Sequence, residues 1–263
     1  MSSLPLENVQ MADRYLGFML IVLISLALAR QFALSPIETT ILGICSISLT
    51  AVDFNLTFTV LPSALILAMV LLATESAYLT RSPAVPAFLL GLMAGTLCSL
   101  KSIYLPHATL FCLTLYLLWG FSKGWRFAFM GWAFALIGAL LILVPWMAAM
   151  RVTSGTYLYP LFGPGYDFSA YHEFQVPTKI DPIHVLSSGA FYFLPLAAII
   201  FAQFFLLRRD KHWPVLLAIT VAVTLGTLAV GFATGNDDTK RYNFPMVMPM
   251  LLLSAYLHTL ERI

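Results

Sequence analysis

The chain has 263 residues, of which 60% are hydrophobic and only 10% charged, and its formal net charge is +2. A water-soluble domain of this length needs roughly a quarter of its residues charged to cover its surface, and a nucleic-acid-binding domain needs a concentrated basic footprint. Both classes are excluded, and the mean hydropathy of +0.88 puts the chain among all-α, polytopic membrane helix bundles read as a single transmembrane domain over 1–263.

A membrane-spanning helix takes about 20 mostly apolar residues. Met1 to Arg14 carries Glu7 and Asp13 and lacks a basic n-region, so it does not read as a signal peptide. The first apolar segment runs from Tyr15 to Ala29 and stops at Arg30. The second, Ile37 to Val52, is short and rich in Ser and Thr, as expected of a helix packed inside a bundle. The third, Phe58 to Leu79, has Pro62 near its start and Glu75 near its end. The fourth, Pro86 to Leu100, and the fifth, Ile103 to Phe121, are separated only by Lys101 and Ser102. The sixth is Phe127 to Met150, the seventh Gly189 to Leu207, the eighth Trp213 to Ala233 and the ninth Phe244 to Leu260. With the second segment in or out, the expectation is eight or nine spans.

Between the sixth and seventh lies the one long polar interruption, residues 151–188. It holds Asp167, Glu173, Asp181, His172, His184 and four tyrosines, among them Tyr157, Tyr159 and Tyr166. Its prolines fix φ and remove donors, which rules against a spanning helix. Loops of this length are functional or disordered, and the aromatic content opposes disorder. It reads as a loop covering a site at a membrane surface.

Lysine and arginine near helix ends set orientation. Lys123 with Arg126, and Arg208, Arg209 with Lys211, are two helices apart, so both fall on the cytoplasmic side. That puts the 151–188 loop and the short 235–242 loop outside, together with Asp53, Lys101 and the cluster Asp237, Asp238, Lys240, Arg241. Lys101 has almost no loop to carry it. It is either a lysine snorkelling from a tight hairpin or a cation turned into a cavity between helices, where it would hold an anion such as a phosphate. Arg241 and Tyr242 open an apolar helix containing Pro245 and Pro249, and an arginine there offers a planar fork to a phosphate. His107, after Pro106, reads as a buried core histidine. Cys45, Cys98 and Cys112 have no metal spacing and read as small core residues. No cofactor is indicated, and a divalent metal is left open.

Three stretches together resemble the GT-C superfamily of membrane glycosyltransferases, which includes protein mannosyltransferases and lipid A aminoarabinose transferases. Phe88 to Trp119 is similar to that family's Gly-rich helix hairpin with a basic residue at its break. Val144 to Tyr166 resembles a helix ending in Pro-Trp followed by a Tyr-Pro loop. Lys240 to Pro245, KRYNFP, resembles the Arg-Tyr-x-x-Pro that opens a late external helix. The resemblance covers roughly residues 55–260 and implies a polyprenyl-phosphate-linked sugar donor, transferred with inversion at the external face of a bacterial inner membrane. It makes Lys101 and Arg241, with Lys240 beside it, the donor-phosphate residues. Tyr157, Tyr159, Tyr166, Asp167, His172, Asp237, Asp238 and Tyr242 become the substrate-side candidates.

The chain departs from the pattern at its start, where the family has an N-terminal helix and an acidic first external loop. The expectation is a fragment or shortened relative without the main catalytic acid. Asp13 and Asp53 are the external acids upstream of Lys101 and stand as candidates for the base. Two other readings compete: a transporter or flippase for a lipid-linked or small polar substrate, and a non-catalytic membrane subunit. An enzyme predicts polar groups converging beside a lipid-accessible groove. A transporter predicts a polar path to the midplane, and an inert subunit predicts scattered charges.

Overall fold

The computed structural model describes residues 6–31, 35–37, 39–40, 61–77, 82–101, 104–155, 157 and 213–234. These are helical apart from short turns and caps, and no strand occurs among them. The elements are α1 (Leu6–Gln31), α2 (Leu61–Ser76), α3 (Ala84–Leu100), α4 (Leu105–Lys123), α5 (Trp125–Ser154) and α6 (Trp213–Thr234). They correspond to the first, third, fourth, fifth, sixth and eighth expected segments. The seventh, the ninth and most of the second lie outside the described residues. Two of the helices, α4 and α5, are long and apolar enough to cross a membrane.

The chain forms two compact units, Met1–Leu67 with Phe244–Ile263, and Ala68–Asn243. In the first, α1 starts at Leu6 rather than Tyr15, and Arg30 in its last turn suits the negative end of the helix dipole. Its Met11, Tyr15, Leu16, Met19 and Leu23 are exposed. α2 begins in this unit and continues into the second. Pro62 is tolerated in its first turn, where the missing N–H has no helical acceptor.

In the Ala68–Asn243 unit, α2 ends at Ser76 instead of Leu79. Thr74 Oγ donates to the Val70 carbonyl at 2.8 Å and Ser76 Oγ to the Leu72 carbonyl at 2.6 Å, back-bonding that loosens a helix end. Lys123 Nζ then donates to the Ser76 carbonyl at 3.0 Å, satisfying one of the terminal acceptors. The ammonium lies 4.8 Å from the Trp119 ring centre and 4.9 Å from that of Phe127. Edge-to-face contacts of Trp119 with Tyr116 at 5.5 Å and with Phe127 at 6.0 Å complete this aromatic seat. Lys123 is therefore half-buried packing, not a wholly solvated member of a basic turn.

Sequence neighbours are not the main packing partners. α3 lies along α5, α4 lies along α6 and more lightly on α5, and α3 touches α4 least. The α3–α5 seam is made of small residues. Gly91-Leu-Met-Ala-Gly95 is a small-xxx-small pair, the spacing that lets helix backbones approach in lipid. A Cβ on Gly91 would collide with the Ala135 carbonyl oxygen, and one on Gly95 would lie 2.8 Å from that of Ala139. Because 91 matches 135 and 95 matches 139, the two helices run parallel. α6 instead buries a helical stripe, Val215, Ala218, Ile219, Ala222 and Val223. Its Gly226 meets His107 of the first turn of α4, with a built Cβ at 2.6 Å from the imidazole Cδ2. The stripe runs back from there to Val215, so α6 is antiparallel to α4.

α4 passes into α5 through Gly124 alone, at φ 100, a conformation that favours glycine. α5 then runs for 30 residues. It incorporates Arg151–Ser154, the first residues of the expected loop, and stops at Gly155, which is left-handed at φ 75 and donates its N–H to the Arg151 carbonyl at 3.1 Å. The expected boundary at Arg151 followed polarity; the helix ends where a residue adopts the left-handed conformation. Trp125 and Trp146 lie 21 residues apart on α5, about 31 Å of helix, which matches the thickness of a bilayer's hydrocarbon core.

Candidate functional site

The pairing of α3 with α5 and of α4 with α6 leaves a gap beside the α3–α4 hairpin. It is a cavity of about 190 Å³ walled by three helices. From α3 come Gly91, Ala94, Gly95 and Cys98; from α4, Leu105, Ala108, Thr109, Cys112 and Leu113; from α5, Trp132, Ala135, Leu136 and Ala139. The α3 wall consists of the residues that make the close seam, so its side chains are too short to fill the space. Leu113, Trp132 and Leu136 are exposed at 46%, 41% and 41%, so the cavity is bordered by outward-facing apolar side chains.

The lining holds no charged residue; its polar side-chain groups are the Thr109 hydroxyl, the Trp132 indole N–H and the thiols of Cys98 and Cys112, both free. Such a space takes hydrocarbon rather than a polar solute. Its volume exceeds the ~150 Å³ of an apolar cavity that stays dry and admits benzene, so it has room for a short length of chain. Cys98 and Leu105 line it and bracket Lys101 in sequence, which puts the lysine's backbone at the hairpin end of the cavity. Lys101 closes α3 in an extended conformation: its N–H donates to the Leu97 carbonyl at 3.3 Å, and its own carbonyl accepts from the Tyr104 N–H at 3.0 Å. It is half-buried.

Of the other sequence-derived candidates, Tyr157 is exposed just beyond α5, with the Arg151 guanidinium 5.3 Å from its ring centre. Arg151 also donates to the Gly155 carbonyl, so it holds the start of the following segment against the helix end. Asp13 is half-exposed on α1. Asp53, Tyr159, Tyr166, Asp167, His172, Asp237, Asp238, Lys240, Arg241 and Tyr242 lie outside the described residues. His107 is buried at 2% exposure, edge-on to Tyr104 at 6.2 Å, as a core histidine. Among the described residues, no group of three metal-ligating side chains comes together.

Sequence reading missed Thr109 and Cys112 as cavity-lining residues, and Arg151 as a positioning residue. The available signal is the small-residue spacing on two helices, Gly91 with Gly95 and Ala135 with Ala139, whose members meet across the seam. No family model, curated protein or solved structure matches this chain.

Proposed function

We propose that this chain is an integral membrane protein acting on a lipid-linked substrate, as the membrane glycosyltransferases it resembles do. A hydrocarbon chain occupies the cavity between α3, α4 and α5, and Lys101 neutralises the phosphate that joins lipid to sugar. The observation that carries this reading is the adjacency of an uncharged, apolar cavity and a half-buried lysine at its hairpin end. The matching of 95 with 139 puts residue 101 level with Pro145, next to Trp146 and thus at the depth where a headgroup phosphate sits.

In this reading an acceptor hydroxyl attacks the anomeric carbon, and the carbon–oxygen bond to the lipid phosphate breaks. The phosphate oxygen leaves with the electron pair. Such a leaving group needs neutralising more than protonating, which suits lysine and arginine. Lys101 is the described cation; Arg241 and Lys240 are its partners in the proposal, and Asp13 and Asp53 remain candidates for the base that takes the acceptor proton. The site faces outward from a bacterial inner membrane. The cavity's apolar lining favours a lipid tail over the polar path that a transporter would need.

The test is photolabelling of the reconstituted chain with a polyprenyl phosphate carrying a benzophenone on its tail. The expected label maps to peptides of α3, α4 and α5 around Cys98, Cys112 and Trp132. Lys101→Ala lowers labelling, and lowers any sugar transfer by about 100-fold, whereas Lys101→Arg retains part of both. Label confined to other segments, or undiminished in Lys101→Ala, removes the proposal.

A further inference from the structure

The turn between α4 and α5, at the end of the bundle away from Lys101, carries an outward aromatic ladder. Phe121, Trp125 and Phe129 are 73%, 46% and 67% exposed. Phe121 meets Trp125 edge-to-face at 5.1 Å, and Trp125 lies 6.1 Å from Phe129. Water does not tolerate a surface of this kind on a stable monomer. The ladder opens a continuous stripe on α5: Trp125, Phe129, Trp132, Leu136 and Leu140 follow at helical spacing, and all are exposed. A stripe of that length suits acyl chains, and a tryptophan at its end suits the headgroup level.

Charge is added at that level. Arg126 follows Trp125, is exposed, and forms no ion pair among the described residues. Lys123 lies within the same turn, and no Asp or Glu occurs between residues 105 and 154. Among the described residues, the acid at this end is the exposed Glu75 of α2, which likewise forms no ion pair among them. Among the described residues, Lys123 and Arg126 against Glu75 leave the end net positive, and Arg126 offers a planar guanidinium able to grip a phosphate with two parallel bonds.

We propose that Phe121, Trp125, Phe129 and Arg126 form a binding surface for an anionic phospholipid, with the aromatic ladder against its acyl chains and Arg126 on its headgroup phosphate. Phe121, Trp125, Arg126 and Phe129 do not line the Lys101 cavity, whose rim the stripe reaches only at Trp132 and Leu136, and the surface does not depend on sugar transfer. It commits this end of the bundle to a leaflet that contains anionic lipid.

The experiment uses the full chain in lipid nanodiscs made of equal parts phosphatidylcholine and phosphatidylglycerol, with bromine on the acyl chains of one lipid or the other. Tryptophan emission is quenched by whichever lipid lies against the ladder, and the contribution lost in Trp125→Phe isolates that position. Brominated phosphatidylglycerol is expected to quench the Trp125 component more strongly than brominated phosphatidylcholine. Arg126→Glu, which changes the local charge by two, is expected to lower that preference about 25-fold, about fivefold for each unit of surface charge near an anionic membrane. Arg126→Gln, which keeps the side chain's reach, serves as the second variant and gives an intermediate loss. Arg151→Glu, at the opposite end, leaves the preference intact. Equal quenching by the two lipids overturns the proposal, and so does a preference that survives both Arg126 variants or that disappears in Arg151→Glu.

Discussion

The two helix seams of the Ala68–Asn243 unit are built in opposite ways. α3 meets α5 through its backbone, with Gly91 and Gly95 set against the carbonyls of Ala135 and Ala139. α4 and α6 bury side chains instead, among them Phe111, Leu115, Val215 and Ile219, and require a glycine at the one place where Gly226 meets the His107 ring. Lipid offers no hydrophobic push between helices, so a seam must gain from close van der Waals contact. Backbone contact achieves this but contributes no side chains to the space beside it. The cavity next to Lys101 follows from having one seam of each kind.

Breaking the backbone seam should have the largest effect. Gly91→Val puts its Cβ into the Ala135 carbonyl, where neither main chain can yield, and is expected to destabilise the fold by about 3 kcal/mol. Unfolding in mixed micelles measures this, and a loss below about 0.5 kcal/mol would show that the seam is looser than described. Gly226→Ala sharpens the contrast. Its Cβ meets a side chain, the His107 ring, which can turn aside, so the expected cost is roughly 1–2 kcal/mol in the same assay.

Gly124→Ala touches neither seam. No atom lies within 4 Å of a Cβ there, and the cost comes from the backbone at φ 100 alone, about 1 kcal/mol. The smallest stability effect belongs to Thr109→Phe, which grows from an exposed position into the gap between the seams. Its expected change in stability is under about 0.5 kcal/mol, yet it should abolish tail labelling by the photoreactive polyprenyl phosphate. Unchanged labelling in this variant would show that the cavity is not where the tail binds.

Much of the helix layout was legible. Apolar runs flanked by proline, glycine and charge placed α3, α4 and α6 to within two or three residues. Two ends were misread for local reasons. α1 begins in a polar sequence, Leu6 to Arg14, that is nonetheless helical, because hydropathy measures fitness for lipid and not for helix. α5 runs past Arg151 because a polar residue need not end a helix, whereas Gly155 with positive φ does. At the site, Lys101 stood out as a charge with no loop to carry it. Thr109 and Cys112 did not, since a hydroxyl or a thiol in an apolar helix looks like ordinary packing until its neighbours are known.

Composition and periodicity alone determined that the chain is apolar and its described part helical, with basic residues between apolar runs, because each of these depends on residues close together in sequence. Pairing was decided only in three dimensions. Lys101 and Ser102 make α3 and α4 look like a tight hairpin, yet α3 closes on α5 and α4 on α6, because the glycines and the bulky stripe each find their complement on a non-adjacent helix. Which helix lies against which depends on the shapes of two surfaces at once, and neither stretch of sequence contains that information by itself. The cavity, its small-residue wall and the lysine at its end are consequences of that choice.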